Sequence, residues 1–164
     1  MKKITLVLVV CVFCITSAFA QKYGHVNSNE VMKAMPGVDS IQVKMADFHK
    51  NLEILYENMI NEFQAKKDKF DKEAGTMSSS VRKMREDELI GMQNRIQEFS
   101  MNVQEDIEEE QMRLLSPFQE KVQNAINEVA KEHKYSYIFD TQILLYYDGG
   151  DDVTPLVKKK LGIK

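Results

Sequence analysis

The sequence predicts an α+β fold, mainly α, in which a long antiparallel helical hairpin protrudes from a small β-rich body. Three observations carry this. Between Val38 and His133 the only breakers are Gly75, Gly91 and Pro117. Apolar residues recur through that stretch at three- and four-residue steps, the period of a helix stripe. The β-branched and aromatic runs lie instead near the two ends, at 22–28 and 135–147.

Residues 1–20 read as a cleaved signal peptide. Lys2 and Lys3 form a charged start, Ile4 to Thr16 an apolar run too short to span a bilayer comfortably, and Ala18-Phe19-Ala20 a small-x-small site. Cleavage is expected after Ala20, which implies export. Both cysteines, Cys11 and Cys14, leave with it. The mature chain then has no disulfide and no cysteine–zinc site.

Lys22 to Ser28 reads as one strand. Ser28 or Asn29 caps a short helix over Glu30 to Met35, which Pro36-Gly37 ends. A first long helix runs from about Asp39 to Ala74 on the stripe Ile41, Met45, Phe48, Leu52, Leu55, Met59, Phe63, Phe70, Ala74 and Met77. Its steps begin as a coiled-coil seam. Successive four-steps through Met59 and Phe63 form a stutter, which locally unwinds a supercoil. A second long helix runs from about Val81 to His133 on a stripe that includes Met92, Phe99, Val122, Ala125 and Val129, with the hairpin tip near 75–80. Pro117 lies within its pattern, and the continuing period favours a kink there over a helix end at Ser116. Two strands follow, Tyr135 to Asp140 and Ile143 to Tyr147, with a turn at Asp148 to Asp151. Thr154-Pro155 starts a last short helix that Gly162 closes. The body is therefore assigned to 21–37 and 134–164, and the arm to 38–133. About 36 helical residues reach on the order of 50 Å. Three short strands do not counterbalance such an arm, so the sheet is expected to be completed by other copies of the chain.

Charge is polarised along the arm. From Phe63 to Glu86 seven basic residues (Lys66, Lys67, Lys69, Lys72, Arg82, Lys83 and Arg85) face four acidic ones. That tip is +3, on a mature chain of net charge −5. One reading is a solvated helix face laced with ion pairs. The other is a basic tip that makes weak contact with an anionic membrane surface or acidic polypeptide segments. Seven methionines lie in the hairpin, and methionine suits adaptable binding surfaces as well as irregular seams. Met77 and Met84, near the tip, are the best candidates for exposure. Gly91 falls roughly opposite the charged, stuttered stretch at Lys66 and is a candidate hinge.

The mildly acidic balance argues against sequence-independent nucleic-acid binding. His25, His49 and His133 are scattered, and neither a glycine-rich phosphate loop nor an H-x-x-x-H pair is present. An enzyme is not expected, and no catalytic, cofactor or metal residue is assigned.

In three places the chain resembles the Skp (OmpH-like) family of periplasmic outer-membrane protein chaperones. These are Lys22-Tyr23-Gly24-His25-Val26-Asn27-Ser28-Asn29-Glu30-Val31; Leu114-Leu115-Ser116-Pro117-Phe118 through Val129-Ala130-Lys131-Glu132 into Tyr135 to Asp140; and Asp152-Val153-Thr154-Pro155-Leu156-Val157. The resemblance implies a homotrimer whose strands form a small β-barrel body, with three hairpins around a cavity. That cavity would hold an unfolded outer-membrane β-barrel protein in the periplasm, without ATP and without a cofactor. Client-contact candidates are Phe63, Phe70, Met77, Met84, Met92 and Phe99. Candidates for the oligomer body are Tyr23, Val26, Ile138, Phe139, Leu144 and Val153. The best-known members are strongly basic and this chain is acidic, so no lipopolysaccharide or membrane site is carried over. The competing reading is a coiled-coil scaffold or spacer of the envelope that binds no client.

Overall fold

The computed structural model describes residues 21–163; the expected signal peptide lies outside the described residues. The elements are β1 (Tyr23–Val26), α1 (Ser28–Ala34), α2 (Asp39–Glu73), α3 (Ser79–His133), β2 (Tyr137–Asp140), β3 (Asp151–Asp152) and α4 (Thr154–Leu161). They form two compact units. The described part of one comprises 21–35 and 119–163, and the other is Pro36–Phe118.

The first unit is built on a three-stranded sheet of order β2-β1-β3. Both pairings are parallel, with Tyr23 opposite Tyr137, Val26 opposite Asp140 and Gly24 opposite Asp151. Parallel neighbours need a long crossover, and here the chain between β1 and β2 is the whole hairpin. The core is valine-rich: Val26, Val31, Val122, Val129, Val153 and Val157 are all buried. Three of these come from α1 and the last turns of α3, so 119–133 packs with the strands. Backbone ends are satisfied locally. The Asn27 side chain accepts from Glu30 N at 3.0 Å and caps α1. Asp152 Oδ1 accepts from Thr154 N at 2.9 Å, and Thr154 Oγ1 accepts from Asn27 N at 3.0 Å. The start of α4 is thereby tied to the end of β1. Gly162, at φ 70°, supplies the left-handed C-cap.

The expected strand at 143–147 does not form. Asp140 Oδ1 accepts from Gln142 N at 3.0 Å, and this caps a 3-10 turn over Thr141–Ile143. The chain leaves the sheet there, and the free edge of β1 is taken instead by Asp151–Asp152, read from sequence as a turn. β-propensity describes a fit to a pleated surface with neighbours, and within one chain Ile143 to Tyr147 has no strand to pair with. The sheet of a single chain remains open, with β2 and β3 as its edges.

Asp151 anchors the open end. Its carboxylate accepts from the Tyr135 hydroxyl at 2.6 Å and pairs with Lys22 at 3.1 Å. The Lys22 ammonium also sits 4.0 Å from the Tyr135 ring centre. First the Tyr135 hydroxyl and then Lys22 hold the Asp151 carboxyl below its ordinary range. A carboxyl depressed in the folded state stabilises above its unfolded range, and that contribution fades as pH falls through the folded value. Asp151→Asn should therefore flatten the acid limb. Its loss of melting temperature between about pH 6 and about pH 3 should be smaller than that of the parent. The effect is modest because the pair is half exposed.

The second unit is an antiparallel pair made by α2 and the first part of α3. The turn between them follows the predicted chemistry: Ser78 Oγ accepts from Val81 N at 3.4 Å, and Arg82 Nη2 donates to Ala74 O at 2.8 Å. α3 continues through Pro117 without ending at Ser116. In 36–118 only Ile41 and Met92 are buried. The predicted seam residues Met45, Phe48, Leu52, Met59, Phe63, Phe70 and Met77 are half-buried. Two helices side by side cover each other along one stripe only, so the rest of the apolar surface stays wet.

Candidate functional site

Two surfaces stand out, one on each unit. On the hairpin, the sequence-predicted residues divide by depth. Met92 is buried in the seam, whereas Met84 is 56% exposed. Phe63, Phe70, Met77 and Phe99 are half-buried. The most exposed methionines of the hairpin are Met101 and Met112, at 72% and 68%, far along α3 from the tip.

The basic tip is partly neutralised. Lys66 Nζ lies 2.6 Å from Glu88 on the other helix and 3.0 Å from Glu62 on its own, and Arg85 joins Glu88 at 2.8 Å. Glu88 and then Glu62 raise the Lys66 ammonium above its usual range, and Lys66 and then Arg85 lower the Glu88 carboxyl. Lys67 pairs with Asp71 at 2.7 Å. Lys69, Lys72 and Lys83 make no ion pair among the described residues, and neither does Arg82, whose guanidinium holds the turn. Lys66 faces Glu88, one helical turn from Gly91. A side chain added at Gly91 would meet nothing within 4 Å. On the tip side the seam holds a gap of about 150 Å³ lined by Phe70, Met77 and Leu89. On the other side a gap of about 170 Å³ is lined by Met59, Met92 and Ile96.

On the body, Val26 and Val153 are enclosed within one chain and belong to its core. Tyr23 and Phe139 are exposed, and Ile138 and Leu144 are half-buried. Sequence reasoning missed the continuity of this surface. Tyr23, Tyr137 and Phe139 form a ladder of near-parallel rings, with centres 5.9 and 6.0 Å apart. Residues 143–147 add Ile143, Leu145, Tyr146 and Tyr147, all exposed, with Leu145 making essentially no contact. Tyr147 rests against the His25 ring at 4.6 Å. So many large apolar side chains on one small unit mark an interaction surface.

Among the described residues no cluster of metal-binding side chains occurs, and no helix is long and apolar enough to cross a membrane. The hairpin offers broad apolar and charged surfaces.

Comparison with known proteins identifies the family. The family model for OmpH-like outer membrane proteins matches residues 22–161. A Chaperone protein Skp of Photorhabdus laumondii is 23% identical over 149 residues, covering 91% of this chain and 90% of its own. Another from Photorhabdus luminescens is 25% identical over 142 residues, covering 87% and 86%. The fold resembles that of an OmpH-like protein of Caulobacter crescentus, with a TM-score of 0.63 at 13% identity, covering 86% of this chain and 83% of the other. The chain belongs to the OmpH-like (Skp) chaperone family.

Proposed function

We propose that the protein is an ATP-independent periplasmic holdase that binds unfolded outer-membrane β-barrel proteins between helical arms and keeps them from aggregating. The observation that carries this is the incompletely sealed hairpin, which buries only Ile41 and Met92 along 36–118. A spacer gains from a tight seam, whereas an adaptable surface needs apolar side chains left half open. Many weak contacts to one client act at high effective concentration and hold it without any single strong site. Release needs no fuel, because client folding in the membrane removes it from the equilibrium.

The arms are held together as a homotrimer through the aromatic ladder and residues 143–147. This supplies the missing neighbours of the open sheet and closes it as a barrel. Lys69, Lys72 and Lys83 give the arm tips weak contact with anionic surfaces, which salt screens.

The direct test is dilution of a urea-unfolded outer-membrane β-barrel protein into the chain from Gln21 onward. Suppressed light scattering at one trimer per client is expected. Unsuppressed scattering would favour the scaffold reading. The hinge at Gly91 has its own test. Gly91→Ala should stabilise the arm by about 1 kcal/mol and narrow the spread of tip-to-tip distances measured between spin labels. Unchanged distances and client capture would remove the hinge.

A further inference from the structure

We propose that a groove in the hairpin selects aromatic side chains carried on basic, extended segments of unfolded polypeptide. The inference rests on the holdase reading and names the client chemistry one site prefers. The groove holds a volume of about 290 Å³ between α2 and α3, with walls formed by Leu52, Tyr56, Phe99, Val103 and Ile107. That is near the lower limit of ligand pockets, about 300–1,000 Å³, so it suits one large side chain rather than a strand.

Tyr56 and Phe99 set the preference for a ring. Their centres are 6.1 Å apart and their planes 21° from parallel, and Tyr56 is 39% exposed. An added ring can stack or meet their edges, a gain beyond area burial that an aliphatic side chain does not share.

Charge sets the flanking preference. Glu53 lines the groove. Glu57 and Asp106 stand one helical turn beyond Glu53 and Val103, and all three carboxylates lack a cationic partner among the described residues. The surrounding helical segments, 39–62 and 92–117, carry eleven acidic and four basic residues, a net −7. A basic segment is drawn to this field and an acidic one repelled. The chain's own exposed aromatics at Tyr146-Tyr147 are followed by Asp148 and Asp151, so a second copy fits the groove less well.

The test uses fluorescent nonapeptides bearing one phenylalanine between lysine pairs, the same with glutamate pairs, and the lysine peptide with Phe→Ala. Anisotropy with the chain from Gln21 onward should show the lysine–phenylalanine peptide binding at least about tenfold more tightly than either control. The preference should weaken as salt rises from about 50 to about 300 mM. Ser100→Trp, which fills the groove from its exposed rim, and Tyr56→Ala should each abolish it. Equal binding of all peptides, or a preference that survives Ser100→Trp, overturns the proposal. So does a change of oligomer mass in Ser100→Trp, which would place a second copy in the groove. Suppression of client aggregation is read in parallel: if it persists without peptide preference, only the groove falls, and if the parent protein lacks it, the holdase reading falls.

Discussion

Leu145→Glu is expected to convert the assembly into single chains while leaving each chain folded. Leu145 is fully exposed and Ile143 and Tyr146 are 74% and 79% exposed, so a single chain loses no contact on substitution. In the proposed homotrimer the same side chain is covered once per copy. Burying a leucine contributes about 1.5–3 kcal/mol, and a carboxylate in its place adds a desolvation cost. Three copies lose this together, and every 1.4 kcal/mol is about tenfold in the association constant. Light scattering should give the mass of one chain, with unchanged far-ultraviolet dichroism. Client capture should fall with it, because arms that no longer surround a client lose their effective concentration. A variant that keeps the parental mass would place residues 143–147 outside the interface.

The second large effect lies inside the body. Val153→Asp should destabilise it by about 3–5 kcal/mol, the scale for an uncompensated buried charge. Val153 is wholly buried, and its N–H donates to His25 O at 2.9 Å, which fixes the backbone against β1. The cost is a large share of the roughly 5–15 kcal/mol that holds a typical domain together. Thermal unfolding followed by dichroism should show the body melting well below the parent. Val153→Ala, which removes packing and adds no charge, should cost much less. A similar melting temperature for the aspartate variant would mean that this core relaxes around a carboxylate more easily than its burial implies.

Helical periodicity made most of the architecture legible. The stripe through Val122, Ala125 and Val129 was apparent in the sequence, and these residues are buried. The hairpin tip and the two long helices also fall where breakers and caps place them. Failure in the body fell on residues whose neighbours are not in the local sequence. Ile143 to Tyr147 has strand composition, yet the Asp140 cap turns the chain away and no edge within one chain receives it. Asp151–Asp152 has turn composition, yet it pairs with Gly24 and His25 because that edge is vacant. Val26 and Val153, named as candidates for the oligomer body, are buried within a single chain. On the arm, Leu55 and Tyr56 both continue the three- and four-residue steps between Leu52 and Met59. Choosing Leu55 hid the aromatic pair with Phe99, and testing both registers would have found it.

Charge is polarised along the arm. Its net positive tip is cross-braced by Lys66, Glu88 and Arg85, and the rest of the arm is acidic. Surface pairs of this kind contribute little to stability, roughly 0–1 kcal/mol each. Under the proposed holdase reading, a client would meet a basic stretch first and then an acidic, aromatic one.

The central claim is that several copies of this chain enclose one unfolded client. Its most direct measurement is the mass, by light scattering after size exclusion, of the complex formed when a urea-unfolded outer-membrane β-barrel protein is diluted into the chain from Gln21 onward. The account predicts one soluble species containing three copies and one client. A free single chain beside pelleted client would contradict both the shared body and the cavity.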